Sequence, residues 1–397
     1  MKSFSASLVY TLTGPPLPNG TVTVDGEGYV TSVAPASRET GNLAETLHFN
    51  GIILPGFVNA HCHLELSHLK GKIGQKKGIA DFIGAINRYR TAADDQIGES
   101  ARLADQEMIR EGIVATGDIS NTADTLEIKK KSPIAYYTFV ETFGFHPSRA
   151  VRAFENAVSV WSLFHEQGLP ASIVPHSPYS VSDELFQKFV SPDNEKSGIL
   201  TIHNQESQAE NQFFQDGKGP ILDHLTGNLG LDASHFRPPG KSPLRSVIPL
   251  LPSSTPLLLV HNTFTSGDDL NFLAGARKKE NTWLVLCPNS NLYIENQLPP
   301  VRLFRIATIP ICLGTDSLAS NTCLSVLSEL KTLHFAFPEI PLEELFAWAC
   351  RNGAGALGME NRLGTLEAGK KPGVLLITPA DIENRRLTPE SAVVRLA

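Results

Sequence analysis

Leu54-Pro55-Gly56-Phe57-Val58-Asn59-Ala60-His61-Cys62-His63-Leu64-Glu65-Leu66-Ser67 is an apolar run that ends in two histidines separated by a single residue. In an extended chain, residues i and i+2 project from one face, so the two imidazoles leave the end of a buried strand together. Two neutral imidazoles converging there can chelate a divalent cation. The placement recurs down the chain: His203 follows the apolar run 199–202, His261 follows 257–260, and Asp316 follows 309–313. A charged or imidazole side chain at such a position carries a desolvation cost unless it is paired, and one shared cation would satisfy all of them.

Between residues 54 and 351, apolar strand-like runs fall at 56–60, 113–118, 134–140, 171–174, 199–202, 257–260, 282–286 and 309–313. Most are followed by helical spacing, as at 97–111, where Ile97, Ala101, Ala104, Met108 and Ile109 share a face and Gly112 is a stop. From His61 to Asp316 the units average roughly 36 residues, enough for a strand, a crossover helix and two loops. The expected fold is therefore α/β, a (β/α)8 TIM barrel over residues 55–364, with its site at the C-terminal ends of the strands. A Pro- and Gly-rich insertion at 217–254, after the fifth strand, is expected to border that site. The stretches 4–13 and 21–33 alternate like hairpin strands, and 373–377 resumes an apolar strand. Residues 1–54 and 365–397 are thus expected to form one small β-sandwich domain from both termini.

The composition narrows the function. Of 397 residues, 34 are Lys or Arg and 41 Asp or Glu, a net charge of −7. That balance argues against nucleic acid as a partner, because such binding needs a basic surface to replace counterions. No apolar stretch approaches the roughly 18 residues that would span a membrane, and Ser3, Ser5 and Ser7 interrupt the start in a way that makes a poor signal peptide. The five cysteines contain no Cys-x-x-Cys pair and read as reduced thiols. A cytoplasmic enzyme acting on a small molecule is the expectation.

The set Pro-Gly-Phe-Val-Asn-Ala-His61-Cys-His63, His203 with Glu206 three residues on, His261, and Gly-Thr-Asp316-Ser-Leu-Ala-Ser320-Asn321 resembles the amidohydrolase superfamily. The chain is most similar to its branch of purine and triazine deaminases and chlorohydrolases. The likeness covers nearly the whole chain, down to Arg362-Leu-Gly-Thr-Leu-Glu-Ala-Gly-Lys370. It implies that His61, His63, His203 and Asp316 bind one metal ion, that Glu206 shuttles protons, and that His261 orients water or substrate. It makes Glu206, His261 and Asp316 the expected catalytic groups. Three imidazoles and a carboxylate suit zinc or iron, with an open position for water. Water would add to an amidine-like ring carbon, Asp316 would take its proton, and ammonia would leave. Relatives that open cyclic amides commonly carry a bridging Lys near the fourth strand; here that strand ends in Pro175-His176-Ser177, which favours one metal and a deaminase.

The run His63-Leu-Glu65-Leu-Ser67, followed by a short helical stretch ending in Arg88-Tyr-Arg90, is similar to aminodeoxyfutalosine deaminases of the futalosine route to menaquinone. Their substrate is an adenine nucleoside whose sugar is extended by a benzoate. The resemblance implies that Glu65 accepts from ribose hydroxyls and that Arg88 or Arg90 meets the substrate carboxylate. His176 either touches substrate or makes a structural hydrogen bond. Asn291, in Cys287-Pro-Asn-Ser290-Asn291, either binds substrate or caps a turn. Ser320 is placed at the substrate site or, with Asn321, buttresses the Asp316 loop. Asn289 stands where the family usually has a basic residue, and Tyr293-Ile-Glu-Asn-Gln stands where relatives carry small residues. Other purine or nucleoside deamination (adenosine, S-adenosylhomocysteine, guanine), triazine dechlorination and a silent metal-binding barrel are the alternatives. Relatives are often dimers, so a homodimer is also implied.

Overall fold

The computed structural model describes residues 1–35, 46–91, 94–190 and 198–397. Strands β1 (Lys2–Val9), β2 (Leu17–Pro18), β3 (Thr21–Val24), β4 (Val30–Ala34) and β5 (Thr46–Pro55) precede the barrel. Eight further strands, β6 (Phe57–Cys62), β7 (Ile113–Ser120), β8 (Ala135–Thr142), β9 (Ala171–Pro175), β10 (Leu200–Asn204), β11 (Leu257–His261), β12 (Thr282–Leu286) and β13 (Ile311–Leu313), build it. Strands β14 (Val374–Asp381) and β15 (Arg386–Arg395) then return to the first group.

Both termini do share one body, and it is a single seven-stranded sheet in the order β15-β14-β5-β1-β3-β4, with β2 on β1. At its centre, in parts of β1, β5 and β14, the sheet is buried on both faces. Side chains alternate across a strand: Ile53 of β5 and Val374 and Leu376 of β14 join Phe4, Val22 and Val24 in a core of their own. Their neighbours Ile52, Leu54, Leu375 and Ile377 face the main core of the barrel.

The barrel strands run parallel in two sets of four, β6-β7-β8-β9 and β10-β11-β12-β13. Backbone contacts join the sets at both seams. The His203 N–H donates to the His176 carbonyl (2.9 Å), and the N–H groups of Thr315 and Asp316 donate to the His61 carbonyl (3.0 and 3.1 Å). Gly314 makes the second seam possible, since a Cβ there would lie 2.8 Å from the His61 Cβ. The strands are covered on both sides, as parallel strands require, and Leu257, Leu258, Leu259 and Val260 are fully buried. The eight apolar runs read from the sequence thus lie on the eight barrel strands.

Over the mouth lie helix α1 (Ile79–Tyr89) and the insertion after β10. Ile79, Phe82 and Ile83 of α1 pack with Ile221 and Leu225 of the insertion and with Phe145 and Phe213. Among the described residues, no helix is long and apolar enough to cross a membrane.

Candidate active site and metal centre

His61 is the last residue but one of β6, and the chain after His63 is pinned where the Leu64 N–H donates to Asp118 Oδ1 (2.8 Å). Asp118 is in turn paired with Lys129 Nζ at 2.7 Å, both side chains fully buried. On the far seam, Asn59 of β6 and Thr315 exchange two hydrogen bonds (2.8 and 3.0 Å). The loop from β13 is therefore stapled to the strand carrying the histidine pair.

Four groups converge at this point. His63 Nε2 lies 3.1 Å from His61 Nε2 and 3.3 Å from His203 Nε2. Asp316 Oδ1 lies 3.4 Å from His63 Nε2 and 3.6 Å from His61 Nε2. Asp316 Oδ2 already accepts from Ser290 Oγ (2.6 Å) and Ser320 Oγ (2.5 Å), which leaves Oδ1 for the centre. His203 gives its Nδ1 proton to the His176 carbonyl (2.8 Å), so the neutral ring turns a lone pair inward. Burial and the neighbouring His61 hold His63 well below the usual imidazole range, and the same two causes bring His203 down to about 4. Burial would raise Asp316, but the surrounding histidines hold it well below the carboxylate range. Three imidazole nitrogens converging on a carboxylate oxygen are a ligand set that a divalent cation satisfies.

Glu206 stands beside this cluster, with Oε1 3.5 Å from His261 Nε2. Its turn is fixed by Glu210, whose carboxylate accepts the N–H groups of Gln205 (3.0 Å) and Glu206 (3.1 Å). Burial, reinforced by Asp316, Glu210 and Glu295, pushes the Glu206 carboxyl well above its ordinary value. The Asn291 amide lies 3.1 Å from His261 Nδ1. An amide nitrogen can only donate, so His261 accepts at Nδ1 and presents an N–H from Nε2 towards Glu206. Gln205, His261 and Asp316 have φ of 45°, 71° and 57°. Non-glycine residues in that left-handed region are strained, and such residues cluster at functional sites.

The cavity above holds about 430 Å³. His63, His203, Glu206, His261 and Asp316 form its metal end; Ile79, Phe82, Ile83 and Ile86 of α1 wall one side. The insertion supplies Ile221, His224, Leu225, Leu229 and Leu231, so it borders the site as expected. His224 is thus part of the cavity wall.

The substrate-side candidates fall in different places: Arg90 and His176 line the cavity, and Glu65, Arg88, Asn291 and Ser320 do not. Glu65 is outside the cavity lining. A buried carboxylate must find donors, and this one has Arg90 Nη2 (2.9 Å), the Asn121 N–H (2.9 Å) and Asn121 Nδ2 (2.9 Å). Arg88 is exposed, its guanidinium 5.9 Å from the Tyr89 ring centroid, whereas Arg90 reaches the cavity wall. Asn291 and Ser320 stand behind His261 and Asp316 as supports and do not line the cavity. His176 does line it, with Nδ1 2.8 Å from Ser180 Oγ. Asn289 turns away, its amide on Ser328 Oγ (3.0 Å) and its backbone N–H on Glu329 (2.8 Å). Tyr293 and Glu295 brace the segment leading into α1, through Ile73 O (2.6 Å) and the Ile79 N–H (2.8 Å). Glu141, Asn121, Arg149 and Tyr179 also line the cavity and were missed. Glu141 directly follows the apolar run 134–140, the same signal that marked Asp316.

The sequence profile of the amidohydrolase family matches residues 52–394. The chain belongs to the amidohydrolase family. This amidohydrolase is 27% identical over 358 residues to an adenosine deaminase of Helicobacter pylori, spanning 87% of this chain and 82% of that protein. The crystal structure of Helicobacter pylori aminofutalosine deaminase in complex with methylthio-coformycin superposes with a TM-score of 0.83 at 23% identity, covering 100% of both chains. An adenosine deaminase of Xanthomonas campestris with bound zinc gives 0.74 at 21%, covering 98% of this chain and 89% of that one. The structural likenesses establish the amidohydrolase barrel as the fold.

Proposed function

We propose that this amidohydrolase removes ammonia hydrolytically from the adenine ring of a nucleoside. The observation that carries the reading is the pairing of a His61, His63, His203 and Asp316 cluster with a buried Glu206 at the end of a cavity of about 430 Å³. Its family relatives named as adenosine and aminodeoxyfutalosine deaminases act in keeping with it. The cluster would hold one divalent ion, with zinc favoured by the zinc-bound relative. The ion supplies a water ionised near neutral pH.

The remaining steps belong to this chain's residues. Glu206, its carboxyl raised by burial, donates a proton to the ring nitrogen as water adds to the carbon bearing the amino group. His261 presents its Nε2 proton to the adding oxygen. Asp316 takes one proton of the water and passes it to the amine, which leaves as ammonia when the C–N bond breaks, while the remaining proton of the added hydroxyl returns to Glu206 as the ring carbonyl forms. The apolar wall of α1, with the Arg149 side chain at the rim, favours a nucleoside extended at its 5′ side by an aromatic carboxylate, the chemistry of aminodeoxyfutalosine.

Ammonia release should be measured over adenosine, S-adenosylhomocysteine, aminodeoxyfutalosine, guanine and an aminotriazine. The highest kcat/KM is expected for aminodeoxyfutalosine, and silence on every 6-aminopurine compound would refute the proposal. Because Asn291 sets the His261 tautomer, Asn291→Ala should lower kcat about 10- to 100-fold with KM nearly unchanged. Steady-state kinetics on the best substrate checks this, and an unaltered kcat would show that His261 is oriented by other contacts.

A further inference from the structure

Glu329 lies on helix α2 (Val326–Ala336), fully buried and outside the lining of the cavity. Its two oxygens are taken up by the loops that follow β12 and β13. Oε2 accepts the Asn289 N–H (2.8 Å) and Oε1 accepts from Asn321 Nδ2 (2.8 Å). Each loop carries a serine that reaches the same oxygen of Asp316: Ser290, one residue after Asn289, at 2.6 Å, and Ser320, one residue before Asn321, at 2.5 Å. Asn291, next in the first loop, supplies the amide that meets His261 Nδ1 (3.1 Å). The Asn321 amide also donates to the Thr315 carbonyl (2.9 Å), on the peptide bond that leads into Asp316. That peptide needs a restraint, because Asp316 has a φ of 57° and a non-glycine residue stays in the left-handed region only where its surroundings fix it. Helix α2 grips the first loop twice more: Asn289 Nδ2 donates to Ser328 Oγ (3.0 Å), and Asn289 Oδ1 accepts from Thr332 Oγ1 (2.5 Å). Burial pushes the Glu329 carboxyl up to about 8, against the donation it receives from Asn289 and Asn321, so its contribution is two hydrogen bonds rather than a fixed charge.

We infer that Glu329 is a positioning residue: by tying the loops after β12 and β13 to one helix, it fixes the Asp316 carboxylate and the His261 ring in the orientation that metal binding and proton transfer need, without touching metal or substrate. The inference rests on the reading above for the roles of Asp316 and His261. A carboxyl suits the task because both loops present donors, and an amide offers an acceptor at only one of its two ends. Glu329→Gln keeps the packing volume and turns an NH2 group towards one of the two donors, which releases one loop.

The test measures ammonia release in the zinc-loaded protein and the visible absorption of the cobalt-substituted protein, whose bands report the ligand geometry at the ion. Glu329→Gln should lower kcat about 10-fold, the lower end of what groups behind metal ligands cost. KM should be nearly unchanged, one zinc per chain should remain at saturating metal, and the cobalt bands should shift. Ser325→Ala separates this from destabilisation alone. It removes the N-cap hydroxyl of α2, which accepts the Ser328 N–H (3.3 Å), so it should lower the melting temperature and leave kcat and the cobalt bands as in the parent. Asn321→Ala cuts one of the two arms, should lower kcat by a smaller factor, and serves if Glu329→Gln does not fold. A variant that melts earlier but keeps the parent kcat and cobalt spectrum overturns the inference and leaves Glu329 a support of the fold. So does a parent that takes up no cobalt. If no nucleoside is deaminated, the deaminase reading fails by itself; shifted cobalt bands in Glu329→Gln then still support the positioning role, and unchanged bands overturn it.

Discussion

Glu206→Gln should lower kcat by about 100- to 10,000-fold, the range of positioned acid–base groups, and leave one metal ion per chain. Glutamine keeps the size of the side chain, and the Glu206 backbone stays fixed because its N–H is held by Glu210 at 3.1 Å. What is lost is a carboxyl that can carry a proton. Glu206 lies outside the four groups that converge within 4.8 Å of one another, so metal content is not expected to change. The reaction needs a proton delivered to a ring nitrogen and a route for one to the leaving amine, and among the cavity-lining residues Glu206 is the carboxyl placed 3.5 Å from the His261 ring. Single-turnover kinetics with metal analysis on the same sample is the check. Turnover equal to the parent's would remove Glu206 from the chemistry, and a loss of metal would make it a structural support of the centre.

The contrast between the metal end and the substrate end has a physical origin. His61, His63, His203, His261 and Asp316 were legible because each closes or follows a buried apolar run, and a parallel barrel gathers all such ends on one face. Glu141 obeys the same rule at the end of β8 and could have been found by applying it to every run. The roles of Glu65, Arg88 and Arg90 were not legible, since they depend on direction rather than residue type. Two positions along a helix turn the side chain by about 200°, so of Arg88 and Arg90 only one reaches the cavity. Glu65 is saturated by Asn121, 56 positions away, a pairing no local pattern encodes. Lys129 is a sharper case: in Lys129-Lys130-Lys131 it reads as solvated, yet it is fully buried against Asp118 beneath the histidine pair.

Removing the metal should have the largest effect of all. Chelation is expected to take turnover to background, with full recovery on adding one equivalent of zinc per chain. Ionising a free water, whose pKa is about 15.7, is far harder near pH 7 than ionising one bound to a zinc ion, at about 7, and no other group here makes up that difference. Asp316 is held in its anionic form and can accept a proton, but Oδ2 is occupied by Ser290 and Ser320, so it offers a single oxygen. The cluster itself should also loosen. With no cation, the Nε2 atoms of His61 and His203 lie 3.1 and 3.3 Å from that of His63 in a buried site without the ion that would hold them together. His63 is held well below the usual imidazole range and His203 is brought to about 4, so acid does not compete for these two ligands at pH 7 and the metal's binding energy goes into the folded state. Free metal at 100 times its Kd would add about 2.7 kcal/mol to stability, seen as a higher melting temperature for the loaded protein. An apo protein that keeps its turnover, or that takes up no zinc and melts at the same temperature with excess zinc present, would refute the metal-dependent reading.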